Sequence, residues 1–263
     1  MRGRFQAALV ATIAAATPMF FWLGAAAVVL VTLRKGWLEG VNLTLWAALP
    51  ATAWLVMQGN PISLVVLLIA FAMAAVLRNT VSWVPTLMTG VVMGLGLYWL
   101  MPQFVTELSD PDVLKQLAPN AGFDDEQIDI FGRLLTGLWS TAYLLVAVLS
   151  LILGRWWQSQ LFNPGGFAEE FRQLIFPPTV AVAIVVIAQF GGNLHPALIG
   201  WAPIVSLPLF FAGIALAHGV VNIKKLGSQW LVLMYLLVFL VGPYLALVDS
   251  LMNFRRRLKK TPD

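Results

Sequence analysis

Residues 228–252 read SQWLVLMYLLVFLVGPYLALVDSLM, with Asp249 as the only charged side chain. An α-helix needs about 20 apolar residues to cross a hydrocarbon core of about 30 Å, and this run is long enough. Comparable runs occupy 40–57, 61–77, 81–101, 131–154, 174–191 and 199–220. Strands of a membrane β-barrel would be shorter and would alternate apolar with polar residues. These runs are continuous and rich in Leu, Ala and Val. The expected fold is all-α, a polytopic membrane bundle of about eight segments (roughly seven to ten) forming a single domain over 1–263. Composition agrees: 60% of the 263 residues are hydrophobic and 11% charged, against about 25% charged in a soluble domain.

The charges set an orientation. Glu107, Asp110, Asp112, Asp124, Asp125, Glu126 and Asp129 crowd the stretch 102–130, with only Lys115 opposing them. Positive residues favour the cytoplasmic side, so this stretch is read as non-cytoplasmic. Arg34-Lys35, Arg78, Arg155 with Arg172, and Lys224-Lys225 then fall in the cytoplasm. The two ends fit only under a condition. If 5–33 and 228–252 are single helices, Arg2 and Arg4, and the tail RRRLKK at 255–260, oppose the neighbouring basic clusters. If each is a hairpin, broken at Thr17-Pro18 and at Gly242-Pro243, the conflict disappears. Length opposes the breaks, since a half-segment of about 12 residues spans only about 18 Å, and proline can merely kink a membrane helix. Both readings stand at this level. Arg2, Arg4 and Ala14-Ala15-Ala16 imitate a signal peptide, but apolar character resumes at Met19 and the segment is read as retained.

Residues 161–176, LFNPGGFAEEFRQLIF, interrupt the lipid-soluble pattern. Asn163-Pro164-Gly165-Gly166 is a turn signal, because proline fixes φ and glycine permits a positive one. Glu169 and Glu170 follow in the first turn of a new helix, where the macrodipole favours anions. Phe167, Phe171 and Leu174 share one face of it. On the orientation above, 155–173 is a cytoplasmic elbow and 253–263 a basic cytoplasmic tail. The elbow reads as an interfacial joint between spans, or as a docking surface offering Glu169, Glu170 and Arg172 to a partner.

GRWWQSQLFNPGGFAEEFRQL at 154–174, together with RGRFQAALVA, VTLRKG and DSLMNFRRRL, resembles the YybS-like family of bacterial membrane proteins. The resemblance covers nearly the whole chain, and NPGGF is its most specific part. It implies a bacterial inner-membrane protein with a core like that of the substrate-binding S components of energy-coupling-factor transporters. It also implies partners, a transmembrane coupling subunit and an ATPase. In S components an Ala-x-x-x-Ala pattern of the first helix packs on the coupling subunit, which transfers here to Ala7, Ala11 and Ala15. Small residues at that spacing also serve packing within one chain, as Thr86, Gly90 and Gly94 would in another helix.

Gln58, Asn60, Gln189, Asn193 and His195 lie at segment ends assigned to the same side as the acidic stretch. Together they would line the mouth of a pocket for a small polar ligand; singly they mark turns. Asp249, spaced about one and a half turns from Arg255, is expected to pair with the tail. His218 is expected to make a polar contact at a helix end. Asp124, Asp125 and Asp129 lack the spacing of a calcium loop and are read as a solvated face. The chain has no cysteine and two histidines, which excludes thiol chemistry and speaks against a histidine metal site. No phosphate loop, HExxH or GxSxG is present, so no cofactor, metal or catalytic residue is assigned. The basic balance belongs to the lipid boundary, not to nucleic acid. Two functions follow: a binding or transport subunit of S-component type without its own ATPase, or a membrane scaffold for envelope assembly that recruits a cytoplasmic partner.

Overall fold

The computed structural model describes residues 4–17, 19–106, 110–117, 122–227 and 229–260. The described residues form only helices and their connections: α1 (Arg4–Ala16), α2 (Phe21–Lys35), α3 (Trp37–Gln58), α4 (Ile62–Thr80), α5 (Trp83–Phe104), α6 (Pro111–Leu117), α7 (Asp125–Phe162), α8 (Gly166–Arg172), α9 (Pro178–Leu194), α10 (Trp201–Ile223), α11 (Gln229–Met252) and α12 (Phe254–Lys260). A short 3-10 turn, Pro196–Ile199, leads into α10. Among the described residues, six helices are long and apolar enough to cross a bilayer: α3, α4, α5, α7, α10 with its preceding turn, and α11. The remaining apolar helices, α1, α2 and α9, have 13, 15 and 17 residues. The short helix α6 and Asp124, the N-cap of α7, both lie within the acidic stretch 102–130.

The chain divides into two compact units, one ending at Pro164 and the other beginning at Gly165. The division falls inside the Asn163-Pro164-Gly165-Gly166 turn, where Gly165 has φ 88°.

In the first unit, α1 stops at Ala16 and α2 starts at Phe21, with Pro18 outside the described residues. A straight helix would set Ala11 and Gly24 about 20 Å apart. Instead, a Cβ added to Gly24 would lie 2.9 Å from the Ala11 carbonyl oxygen and 3.1 Å from the Ala15 nitrogen. The two helices fold back on each other. The Trp54 indole N–H fixes the turn by donating to the Ala16 carbonyl, at 2.9 Å.

The buried helix α2 presents Gly24 to Val29 as a continuous core face, and α7 lies against it through Gly154. A Cβ there would come within 2.6 Å of Val29 Cγ1 and 2.7 Å of the Ala26 carbonyl oxygen. At the far end of α2 the Arg78 guanidinium donates to the Leu33 carbonyl. Arg34 lies over the Phe162 ring, 3.4 Å from its centroid. Arg34, Lys35, Arg78 and the end of α7 therefore share one end of this unit. The acidic start of α7, 38 residues away, lies about 55 Å off at 1.5 Å per residue. The apolar run 131–154 understated this helix. It extends at one end through a capped acidic turn and at the other through the Arg155–Phe162 segment.

In the second unit α10 carries the core, with Ile204, Leu209, Phe211, Ala212 and Ala215 buried. The path of α11 against it decides between a straight span and a hairpin. Its first half runs antiparallel to α10: the Tyr235 hydroxyl meets His218 Nε2, and Gly242 touches Gly213. Continued straight, Asp249 would lie about 20 Å along the axis from Gly219. Yet Asp249 Oδ2 is 2.9 Å from Arg255 Nε, and Arg255 Cδ is 2.8 Å from a Cβ built on Gly219. The chain turns back at Val241, whose φ −136° and ψ 19° leave the helical region. Pro243 supplies the reason, since it lacks an N–H and its ring clashes with the carbonyl four residues earlier. The turn of α10 into α11 and the base of α12 thus lie on one face of the unit.

This hairpin predicts a labelling pattern. Single cysteines replacing Lys225 and Arg257 should react with an impermeant maleimide from the same side of the membrane. Labelling from opposite sides would mean a straight span.

Candidate functional site

The first unit holds a cavity of about 320 Å³ between the end of α5, α6 and the start of α7. Its polar walls are Tyr98, Asp125, Asp129, Arg133 and Thr136, with Trp99 beside them. Local chemistry positions each one. Asp124 caps α7 by accepting from Gln127 N at 2.8 Å, and the Gln127 amide oxygen accepts from Asp124 N at 3.1 Å. This reciprocal capping box starts the helix one residue before Asp125. Asp129 and Arg133 then share a face, and Arg133 Nε donates to Asp129 Oδ2 at 2.8 Å. Arg133 and Tyr98 line the same cavity, which brings the start of α7 beside the end of α5. Helix α6 docks through buried Leu114, and Lys115 Nζ donates to Asp125 Oδ1 at 3.0 Å. Asp125 holds the Lys115 ammonium above the usual lysine range. Both ion pairs are open to solvent, where screening and side-chain entropy leave little net stabilisation. They set direction more than stability. Asp124, Asp125 and Asp129 thus have three separate tasks: a cap, a pair with Lys115 and a pair with Arg133.

The second unit carries a buried polar knot. Arg255 and Asp249 are almost wholly buried. Arg255 Nε and Nη2 donate to Asp249 Oδ2 at 2.9 and 2.6 Å, the pairing expected from their spacing. Nη2 also donates to the Leu174 carbonyl at 2.8 Å, and Nη1 to the Arg172 carbonyl. The guanidinium therefore caps the C-terminus of α8, where a cation is favoured, and ties it to the α11 hairpin. Phe171, on the apolar face with Phe167, packs edge-on against His218 at 6.5 Å between centroids. A cleft of about 540 Å³ opens beside this knot, lined by Glu169, Arg172, Gln173, Gly219, Asn222 and Arg255 among others.

The residues singled out from sequence are distributed as follows. Gln58 and Asn60 are exposed at the end of α3, and Asn60 Oδ1 accepts from Ile62 N at 3.1 Å. In the other unit Gln189, Asn193 and His195 are exposed, and His195 Nδ1 accepts from Ala197 N at 3.1 Å. None of the five lines either cavity. Ala11 and Ala15 are buried and covered by Gly24 of α2, while Ala7 has its side chain outside the described residues. Asn163, Pro164 and Gly165 are exposed and Gly166 half-buried; in α8, Glu169 is exposed and Glu170 and Arg172 are half-buried. Sequence reasoning missed the cavity at Tyr98 and Arg133. The i, i+4 spacing of Asp129 and Arg133 was the available signal, but nothing in the sequence brings Tyr98 to them.

No known family model, curated protein or solved structure matches the chain.

Proposed function

We propose that this chain is the substrate-binding subunit of a bacterial inner-membrane transporter, of the S-component type, working with a separate coupling subunit and ATPase. The observation that carries the reading is the α5–α6–α7 cavity. Its volume lies at the lower end of the range for small-molecule sites, about 300–1,000 Å³, and it combines apolar walls with a few convergent polar groups. Arg133 supplies a donor for an anionic or carbonyl group, Asp129 an acceptor, and Tyr98 and Trp99 an aromatic side. The acidic stretch that frames it is the one read as non-cytoplasmic, so the ligand would enter from outside. On this reading α1–α2 and α11 are membrane hairpins, so the segment count depends on them. A backbone break at membrane depth is tolerated where protein or a polar cavity covers it, and Gly/Pro-interrupted segments are common in transporters.

The test is purification of the tagged chain from its native membrane in mild detergent, with mass spectrometry of proteins and small molecules. The wild type is expected to retain a small polar molecule and an ATPase with a transmembrane subunit. Arg133→Gln is expected to lose the molecule and keep the protein partners. Identical small-molecule content in both preparations would sink the assignment. The exposed Glu169 favours a second reading, a scaffold docked through α8. Recovery of cytoplasmic assembly proteins, lost on replacing Glu169 and Arg172, would support it.

A further inference from the structure

We propose that the cleft beside α8 in the second unit seats the phosphodiester headgroup of an anionic phospholipid. Three independent features point there. The first is depth. Helix α10 has 23 residues, about 35 Å at 1.5 Å per residue, so it reaches across a hydrocarbon core of about 30 Å. Gly219, Asn222 and Ile223 come from its last two turns, so the cleft they line lies at the level of lipid headgroups.

The second is charge. Arg172 lines the cleft and its guanidinium makes no hydrogen bond or ion pair with any described residue. Lys224 and Lys225 follow Ile223 directly and are exposed. The lining itself carries Arg172 and one carboxylate, Glu169, and the two lysines adjoin it in the chain. Arg255 adds no charge, because Asp249 neutralises it. Basic pockets at the cytoplasmic ends of membrane helices attract anionic headgroups, and an arginine fork fits two phosphate oxygens.

The third is rigidity and chemistry. Arg255 spends its donors on Asp249 and the carbonyls of Arg172 and Leu174, which holds the backbone of Arg172 still while leaving its side chain available. Gln173 and Asn222 offer amide donors. Glu169 offers an acceptor suited to the hydroxyls of a glycerol headgroup, which selects phosphatidylglycerol over a bare phosphate monoester. The apolar helices below the cleft would receive the acyl chains.

The full chain in detergent should be melted with added phosphatidylglycerol, phosphatidylcholine or inorganic phosphate. Phosphatidylglycerol is expected to stabilise the wild type well beyond phosphatidylcholine, and inorganic phosphate to have no effect. Arg172→Gln should weaken the apparent lipid affinity about fivefold, as should each lysine removed in Lys224→Gln and Lys225→Gln. Arg172→Lys should recover part of the loss, and Lys35→Gln, at an exposed lysine in the other unit, should change nothing. Arg172→Gln should melt like the wild type in phosphatidylcholine, because no side-chain bond is lost. The proposal is overturned if phosphatidylglycerol gives no preference, if Arg172→Gln keeps it, or if inorganic phosphate reproduces the whole effect, which would mark a free-anion site.

Discussion

Replacing Arg255 with methionine is expected to be among the most damaging single changes in the second unit. Asp249 is 1% exposed and has no other described partner for Oδ2, while Oδ1 accepts no hydrogen bond from any described residue. Removing the arginine strands a buried carboxylate and uncaps two carbonyls at the end of α8. Losing one partner of a buried pair costs about 3–5 kcal/mol, which for a chain of this size lowers the melting temperature by about 10 °C. The elbow should loosen with it, so trypsin should cut after Arg172 faster than in the wild type. The double change Asp249→Leu with Arg255→Met should recover much of the loss, since it removes the stranded charge as well as the pair. If the single variant melts like the wild type, the knot does not hold α8 to the hairpin.

The same knot shows which parts of this fold could be read from sequence. The spacing from Asp249 to Arg255 gave the pair, because six residues around a helix end leave few other partners for an acid in an apolar run. It did not give Arg172 or Leu174, whose carbonyls join the pair only because α8 and α12 converge in three dimensions. The long apolar helices were legible for the same local reason: hydrophobic length is a property of consecutive residues. The turn at Gly165 was legible because only positive φ at glycine relieves the strain there.

Where the chain folds back was less legible. Charge counting favoured hairpins at both ends, and length opposed them. The sequence holds no term that weighs the two, because what stabilises a turned-back half-helix is the neighbour it packs on. For α11 that neighbour is α10. For α1 it is α2, and the Ala11 and Ala15 face that matched a docking pattern is the face that α2 covers. The candidate site shows the limit most clearly. Asp129 was read from sequence as part of a solvated face, and Arg133 lies four residues on, inside the apolar run 131–154. Neither could be joined to Tyr98, about thirty positions earlier, without the packing of α5 on α7. Conversely, Gln58, Asn60, Gln189, Asn193 and His195 share a chemistry but each sits at a local helix end.

The tip of the α11 hairpin makes the sharpest packing demand in the second unit. A Cβ on Gly213 would lie 2.9 Å from the Gly242 carbonyl oxygen, 3.1 Å from its Cα and 3.2 Å from its carbonyl carbon. All three are backbone atoms, held by the turn at Val241 and the ring of Pro243, so no side chain can swing aside. Gly213→Ala is therefore expected to destabilise by about 1–3 kcal/mol, the usual cost of overpacking. Gly213→Val should push the tip away from α10 and abolish accumulation of folded protein. Gly96 of α5 is the control, since a Cβ there meets nothing within 4 Å. Gly96→Ala should be neutral or gain up to about 1 kcal/mol from helix propensity. The contrast can be measured by thermal unfolding in detergent together with the yield of monodisperse protein. If Gly242 did not pack on Gly213, Gly213→Ala would behave like Gly96→Ala. Equal tolerance at both glycines would thus reject the close approach of the Val241–Gly242 backbone to α10.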